Sequence, residues 1–499
     1  MTTTVIRGGR VLDAPAHRAD PADVLVAGDT IRAIGRPGLP APVGAVELDA
    51  RDRLLIPGLV NAHTHAHGAL AKGLVADRQP LEVFLTSSSA VNGNRRREEH
   101  YLSALLSAIE MVRKGCTASY DLFVEYPAPT PEGVLAVAQA YHDVGLRAVV
   151  APMMADRTLF QALPGLMDSL PEAVRPQVER IRTAPWEVSL EACREILRNW
   201  PFDREAVRPA LGPTIPLHCS DAFLVACRDL AREFDVGVQT HLAETKTQAI
   251  LGRRRYGGKT LTAHLADLGL LGPRFSGAHA IWLDTDDIRR LADAGASVVH
   301  NPLSNLRLGS GLAPVRLMLA HGLRVGLGTD AAATSDTQNM FEATRLAAYL
   351  SRVESVAPAD WLTVEEAFAL ATTGSAGVLG MEGRIGRLAP GHKADIVFLD
   401  LAHIGYVPLN DVMLQLVNGE SGAAVDRVMI GGRLVLDGGR LLTVDEARVR
   451  ADAERASARL REANAESLRF ARTLEAFVGA FCLAHARAPY GVSRLAAPP

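Results

Sequence analysis

The sequence predicts an α/β protein in which a (β/α)8 TIM-like barrel carries a small sheet domain assembled from both ends of the chain. Three observations predict it. Eight short apolar or β-branched runs alternate with helical stretches through the middle of the chain, the pattern of repeated βα units and a parallel sheet. Strand-like segments occupy both ends and resemble each other, RGGRVLD at 7–13 and GGRLVLD at 431–437. Finally, metal-type polar side chains follow most of the eight runs, and barrel enzymes keep their chemistry at the C-terminal ends of their strands.

In chain order, N-terminal strands are expected at 5–12, 23–26, 31–34 and 46–48, with Gly28-Asp29 as a turn. The barrel runs are 54–60, 117–120, 146–150, 207–211, 236–240, 275–278, 296–299 and 323–328. Helix punctuation separates them: Thr130-Pro131 reads as an N-cap with proline at the first helical position, Gly145 as a C-terminal stop, and Thr363 with Glu366 as a capping box. Strand character returns at 394–399 and 425–436, bounded by Gly431-Gly432 and Gly438-Gly439. Residues 153–206 and 447–480 read as helical with one charged face, and 486–499 as a Pro/Ala-rich tail without assigned structure. The expected division is 1–56 and 381–445 for the two parts of the β domain, 57–380 for the barrel, and 446–499 for a C-terminal helical extension and tail.

Composition narrows the function classes. The 499 residues are 48% hydrophobic and 22% charged, enough to bury a large core. With 53 Lys and Arg against 56 Asp and Glu, the net charge is -3, which builds no field for phosphate backbones or anionic membranes. Nucleic acid and membrane are therefore not expected partners. The five cysteines are scattered without CxxC spacing, and no uninterrupted apolar stretch is long enough to span a bilayer, so a cytoplasmic protein is expected.

Chemistry concentrates at three strand ends. NAHTH places His63 and His65 two residues apart, so on a strand both imidazoles face one side and reach one ion. An isolated HxH pair is weak, since histidines at this spacing also occur in cores and on surfaces. Its weight comes from HLAET, where His241 ends an apolar strand with Glu244 three residues on, and from GLGTD, where a glycine-flanked strand ends in Asp330. Three imidazole nitrogens and one carboxylate suit zinc or ferrous iron and leave room for water.

These residues sit in motifs that resemble the amidohydrolase superfamily, in its branch of methylthioadenosine/S-adenosylhomocysteine deaminases, cytosine and guanine deaminases and triazine hydrolases. The motifs are PGLVNAHTH at 57–65, HLAET at 241–245, GAHAIWL at 277–283, HNPLSNLRLGSGLAPV at 300–315, GLGTD at 326–330 and GRIGRLAPGHKADIVFLD at 383–400. The resemblance covers 5–441. It implies that His63, His65, His241 and Asp330 bind the metal, that Glu244 and His279 assist the chemistry together with Asp330, and that the two ends form a composite β-sandwich.

The activity implied is metal-dependent hydrolytic deamination of an amino-substituted nitrogen heterocycle with release of ammonia. Asp330 is expected to take a proton from the attacking water, His279 to hydrogen-bond it, and Glu244 to deliver a proton to a ring nitrogen or leaving amine. Hydrolysis of an amide, urea, carbamate or aryl chloride at the same centre is the alternative; a non-catalytic assembly module is a third, disfavoured by the complete ligand set. In binuclear relatives a carboxylated lysine ends the fourth strand. Here that strand reads RPALGPT, with Thr214 and no lysine, which implies one divalent ion, zinc ahead of iron(II).

Substrate contacts depart from the resemblance. Related deaminases read P-H-[AS]-P-Y after the fourth strand, whereas this chain reads Pro213-Thr214-Ile215-Pro216-Leu217-His218, so Thr214 and the displaced His218 are the candidates. LEVFL at 81–85 replaces a segment that often carries tryptophan. His67 and Asn305 complete the candidate contacts to a small-molecule substrate. The apolar residues Leu474, Phe477, Val478 and Phe481 fit packing on a second subunit or on the chain's own barrel, and a homodimer is expected.

Overall fold

The computed structural model describes residues 2–495 and contains two nine-stranded sheets. One is parallel and follows the chain: Leu59–His65, Cys116–Val124, Arg147–Met154, Val207–Pro213, Gly237–Leu242, Phe275–His279, Ser297–His300 and Arg324–Leu327. Beyond the eighth of these, Asp330–Ala331 pairs in parallel with the first, Asp330 opposite Thr64, so the sheet returns to its starting strand. Helices connect the strands, as parallel pairing requires a crossover. Each of the eight sequence runs coincides with a strand of this sheet, with one difference. The run at 54–60 is divided at Gly58: Arg53–Pro57 belongs to the other sheet and the barrel begins at Leu59. A Cβ on Gly58 would lie 2.0 Å from the Thr117 hydroxyl, so only glycine lets the chain cross between the sheets here.

The second sheet is mixed and drawn from both chain ends. Arg53–Pro57 lies at its centre, with Thr3–Asp13 in parallel on one side and Ile396–Asp400 antiparallel on the other. Arg18–Ala27 and Thr30–Gly35 extend one flank; Val425–Ile430 and Arg433–Asp437 extend the other, the latter two dividing the single run expected at 425–436 around the Gly431-Gly432 turn. Arg147, at the start of the third barrel strand, forms a buried ion pair with Asp395 at 2.8 Å and joins the two sheets.

The capping residues act as the sequence requires. The Thr130 hydroxyl accepts from the Gly133 backbone at the start of Pro131–Val144, Gly145 ends that helix in the left-handed region, and Thr363 with Glu366 forms the capping box of Val364–Ala369. At the C-terminus, Glu446–Ala463 and Ala465–Arg487 are long helices. The second lies against Leu81–Asn92 and Lys246–Arg255 of its own barrel, burying Leu474 and Val478, while Phe477 stays partly exposed. No helix among the described residues is long and apolar enough to cross a membrane.

Candidate metal centre and active site

Five side chains from four strands of the barrel sheet converge at its C-terminal mouth. His63 and His65 come from the end of the first strand, His241 from the fifth, His279 from the sixth and Asp330 from the residue pair that returns to the first; all are buried. The nearest ring nitrogens of His63, His65 and His241 lie within 4.8 Å of one another, as do the ligand atoms of His63, His279 and Asp330. Asp330 Oδ1 stands 3.0 Å from His65 Nε2 and 3.6 Å from His63 Nε2. Metal-type residues lie close in sequence at each strand end, but only the curvature of the sheet brings these ends together.

The backs of the rings are fixed by acceptors. His65 Nδ1 donates to the Leu122 carbonyl and His241 Nδ1 donates to the Thr214 carbonyl at 2.6 Å. His63 Nδ1 meets Gln239 Oε1 at 2.7 Å, and His279 Nδ1 meets Asn305 Oδ1 at 2.8 Å. The Gln239 amide nitrogen donates to Ala62 O and Ser276 Oγ, so its oxygen is the end that faces His63. With Nδ1 carrying the proton, each neutral ring presents an Nε2 lone pair to the site. Two of these atoms, on His65 and His241, stand 3.1 Å apart, and Nε2 of His63 and of His279 has no hydrogen-bond partner. Converging buried lone pairs beside a carboxylate fit a divalent cation of the zinc type, which replaces their mutual repulsion by coordination.

Sequence reasoning missed Gln239, because its contact to His63 spans 176 residues and glutamine carries no metal signal. Gln239→Leu is expected to weaken zinc binding by about 10- to 100-fold, the usual effect of losing a residue that orients a ligand. Competition with a chelating dye measures this, and unchanged affinity would contradict the role.

Asp330 sits at φ 62°, in the left-handed region that Asp tolerates better than most residues. Its Oδ1 accepts from its neighbour Ala331 N, and its Oδ2 accepts from Ser304 Oγ at 2.5 Å. Burial alone would raise this carboxyl, but the His63 and His65 imidazoles beside it hold it well below the usual carboxylate range. Glu244 is the opposite case. It is buried, Oε1 has no partner, Oε2 lies 3.6 Å from His279 Nε2, and burial followed by repulsion from Asp330 pushes its carboxyl well up. Two carboxyls in one site are thus driven in opposite directions, Asp330 toward its ionised form and Glu244 toward its protonated form, as acid/base chemistry needs. Burial also pushes His279 down to about 4, so its ring is neutral. The LEVFL segment opens the helix Leu81–Asn92, where buried Glu82 accepts from the hydroxyl of Thr245, next to Glu244.

Beside this cluster opens a cavity of about 170 Å³ lined by Val124, Met153, Thr214 and His218, among others. His218 lies in the short turn Pro216–His218, and burial with Arg255 and Arg157 nearby pushes its imidazole down to about 4, leaving a neutral ring. His67 is buried 5.3 Å from the His65 ring, and its Nδ1 accepts from Val124 N. Asn305 stands behind His279 rather than at the cavity wall.

Among the described residues of the C-terminal tail there is no helix or strand beyond Arg487, yet this segment is anchored on loops of the barrel. The Arg494 guanidinium donates to the Ile281 and Leu283 carbonyls at 2.9 and 2.7 Å, its own carbonyl accepts from Leu312 N, and Tyr490 packs edge-on against Trp282. These partners lie in the loops that follow His279 and Asn305. Arg494→Met is expected to remove about 1.5–3 kcal/mol of local stabilisation. Hydrogen exchange at residues 281–283 and 312 should accelerate, and unchanged exchange would contradict the anchor.

A parallel α/β barrel with buried histidines and an aspartate gathered at its C-terminal mouth defines a metal-dependent hydrolase barrel. The chain belongs to the amidohydrolase family, whose sequence profile matches residues 54–435. The 5-methylthioadenosine/S-adenosylhomocysteine deaminase of Pyrococcus abyssi is 32% identical over 447 residues, covering 90% of this chain and 97% of its own. A 5'-deoxyadenosine deaminase of Methanothermobacter thermautotrophicus is 33% identical over 462 residues, covering 91% and 98%. Among solved structures, an adenosine deaminase from Xanthomonas campestris with bound zinc aligns with a TM-score of 0.79 at 28% identity, covering 92% of this chain and 99% of its own. An atrazine chlorohydrolase from Arthrobacter aurescens TC1 complexed with zinc aligns with a TM-score of 0.79 at 26% identity, covering 91% and 100%.

Proposed function

We propose that the protein is a mononuclear zinc-dependent aminohydrolase that replaces the exocyclic amino group of a nitrogen heterocycle by a carbonyl and releases ammonia. The observation that carries this reading is the convergence of His63, His65, His241, His279 and Asp330 in one buried cluster beside Glu244, whose Oε1 has no partner. His63, His65, His241 and Asp330 would hold the ion. A bound divalent cation lowers the pKa of water from about 15.7 toward about 7 and supplies a nucleophile at neutral pH. Asp330, held ionised, takes the proton of the attacking water. Glu244 delivers its proton to the ring nitrogen or the departing amine, and neutral His279, fixed by Asn305, hydrogen-bonds the attacking oxygen through Nε2. Thr214 and His218 line the wall on which the ring and its substituents would rest. The named deaminase activities of the relatives, over most of the chain, support adenosine-type 6-aminopurines as the first substrates to test.

A second reading, displacement of aryl chloride, is favoured by the atrazine chlorohydrolase likeness over 91% of the chain. The two readings differ in leaving group. Zinc-loaded protein is expected to release ammonium from aminopurine nucleosides, aminopyrimidines or amino-triazines; chloride release from chlorotriazines without ammonium from any amine would replace the first reading by the second.

A further inference from the structure

Away from the barrel mouth, a second cavity of about 360 Å³ opens between the segment that follows His65, the end of the helix Leu81–Asn92 and the junction of the two C-terminal helices. Its lining contains four arginines, Arg95, Arg461, Arg469 and Arg472, and no carboxylate. The rest is largely apolar and includes Leu70, Leu460 and Leu468. The imbalance is local. On the first C-terminal helix Arg448, Arg450, Arg455 and Arg459 each reach an Asp or Glu, whereas among the described residues none of the four groove arginines forms an ion pair. Arg95 is the most telling. Its NH2 donates to the His67 carbonyl at 2.6 Å and to Asn92 Oδ1 at 3.0 Å, but Nε and NH1 are buried without an acceptor. Arg95 is thus held in place as a poorly hydrated cation at the groove wall.

We propose that this groove is a binding site for a small organic anion, a carboxylate or phosphate head joined to an apolar chain. The head lies among the four guanidinium groups and the chain lies along the leucines. Like charges gathered around one cavity repel each other, and an anion offsets that repulsion. Apolar walls add burial of the ligand's hydrocarbon, a contribution that an inorganic anion cannot make. The site is distinct from the metal centre, although Arg95 binds the backbone of His67, two residues beyond His65.

Calorimetric titration of the full-length protein with octanoate and with octyl phosphate tests this, with octanol and inorganic phosphate as controls. Saturable binding of at least one of the two amphiphilic anions is expected, tighter than either control; whichever anion binds more tightly identifies the head group. The double substitution Arg469→Gln/Arg472→Gln, at exposed positions where folding is not at stake, is expected to weaken that binding by about tenfold or more. Arg95→Met should weaken it further. Equal binding of octanol, unchanged affinity in the exposed double variant, or no saturable binding of either anion would overturn the proposal.

Discussion

Glu244→Gln is expected to keep its zinc and to lose turnover by about 100- to 10,000-fold, the range for removing a positioned general acid. The substitution is nearly isosteric and exchanges a buried acid for a neutral amide, where burial already favours the neutral form of the acid. Nothing in the fold depends on its carboxyl: Oε1 has no partner, and the contact that holds this corner, Glu244 N to Gln248 Oε1, is made by the backbone. Metal content measured beside kcat separates the two effects. A variant that turns over like the parent would remove Glu244 from the mechanism, and one that loses its zinc would make it a ligand.

Asp330→Asn is expected to lose both properties. Asparagine adopts the left-handed backbone at φ 62° as readily as aspartate, its oxygen can still accept from Ala331 N, and its amide can donate to Ser304, so the fold should survive. The negative charge is what disappears. Zinc affinity should fall by more than about 100-fold, beyond what residues behind the ligands usually contribute, and deamination should become undetectable. Calorimetric zinc titration of the variant checks this; parent-like affinity would show that Asp330 is not a ligand.

Much of this was legible in the sequence because ligand types and strand ends coincide. A histidine or aspartate that terminates an apolar run carries both its chemistry and its position, so His63, His65, His241, His279 and Asp330 could be named before any geometry. The orienting contacts were not legible. Leu122 and Thr214 act through backbone carbonyls, which leave no trace in side-chain identity, and Gln239 and Ser304 act across 176 and 26 residues. Asn305 is a candidate substrate contact in the sequence, which does not report the direction of a polar side chain; its oxygen turns to His279. The break at Gly58 was hidden because one apolar run feeds two sheets, and only the approach of Thr117 divides it. The anchoring of the tail rests on Arg494 meeting two backbone carbonyls over 200 residues away, a contact that periodicity does not report.

The most direct test is to remove metal from the purified protein and titrate zinc back while following ammonium release from an aminopurine nucleoside. Activity absent at the start, rising linearly and breaking at one zinc per chain is the predicted result. Ammonium release by the metal-free protein, or a break at two zinc ions per chain, would contradict a single metal centre built from His63, His65, His241 and Asp330.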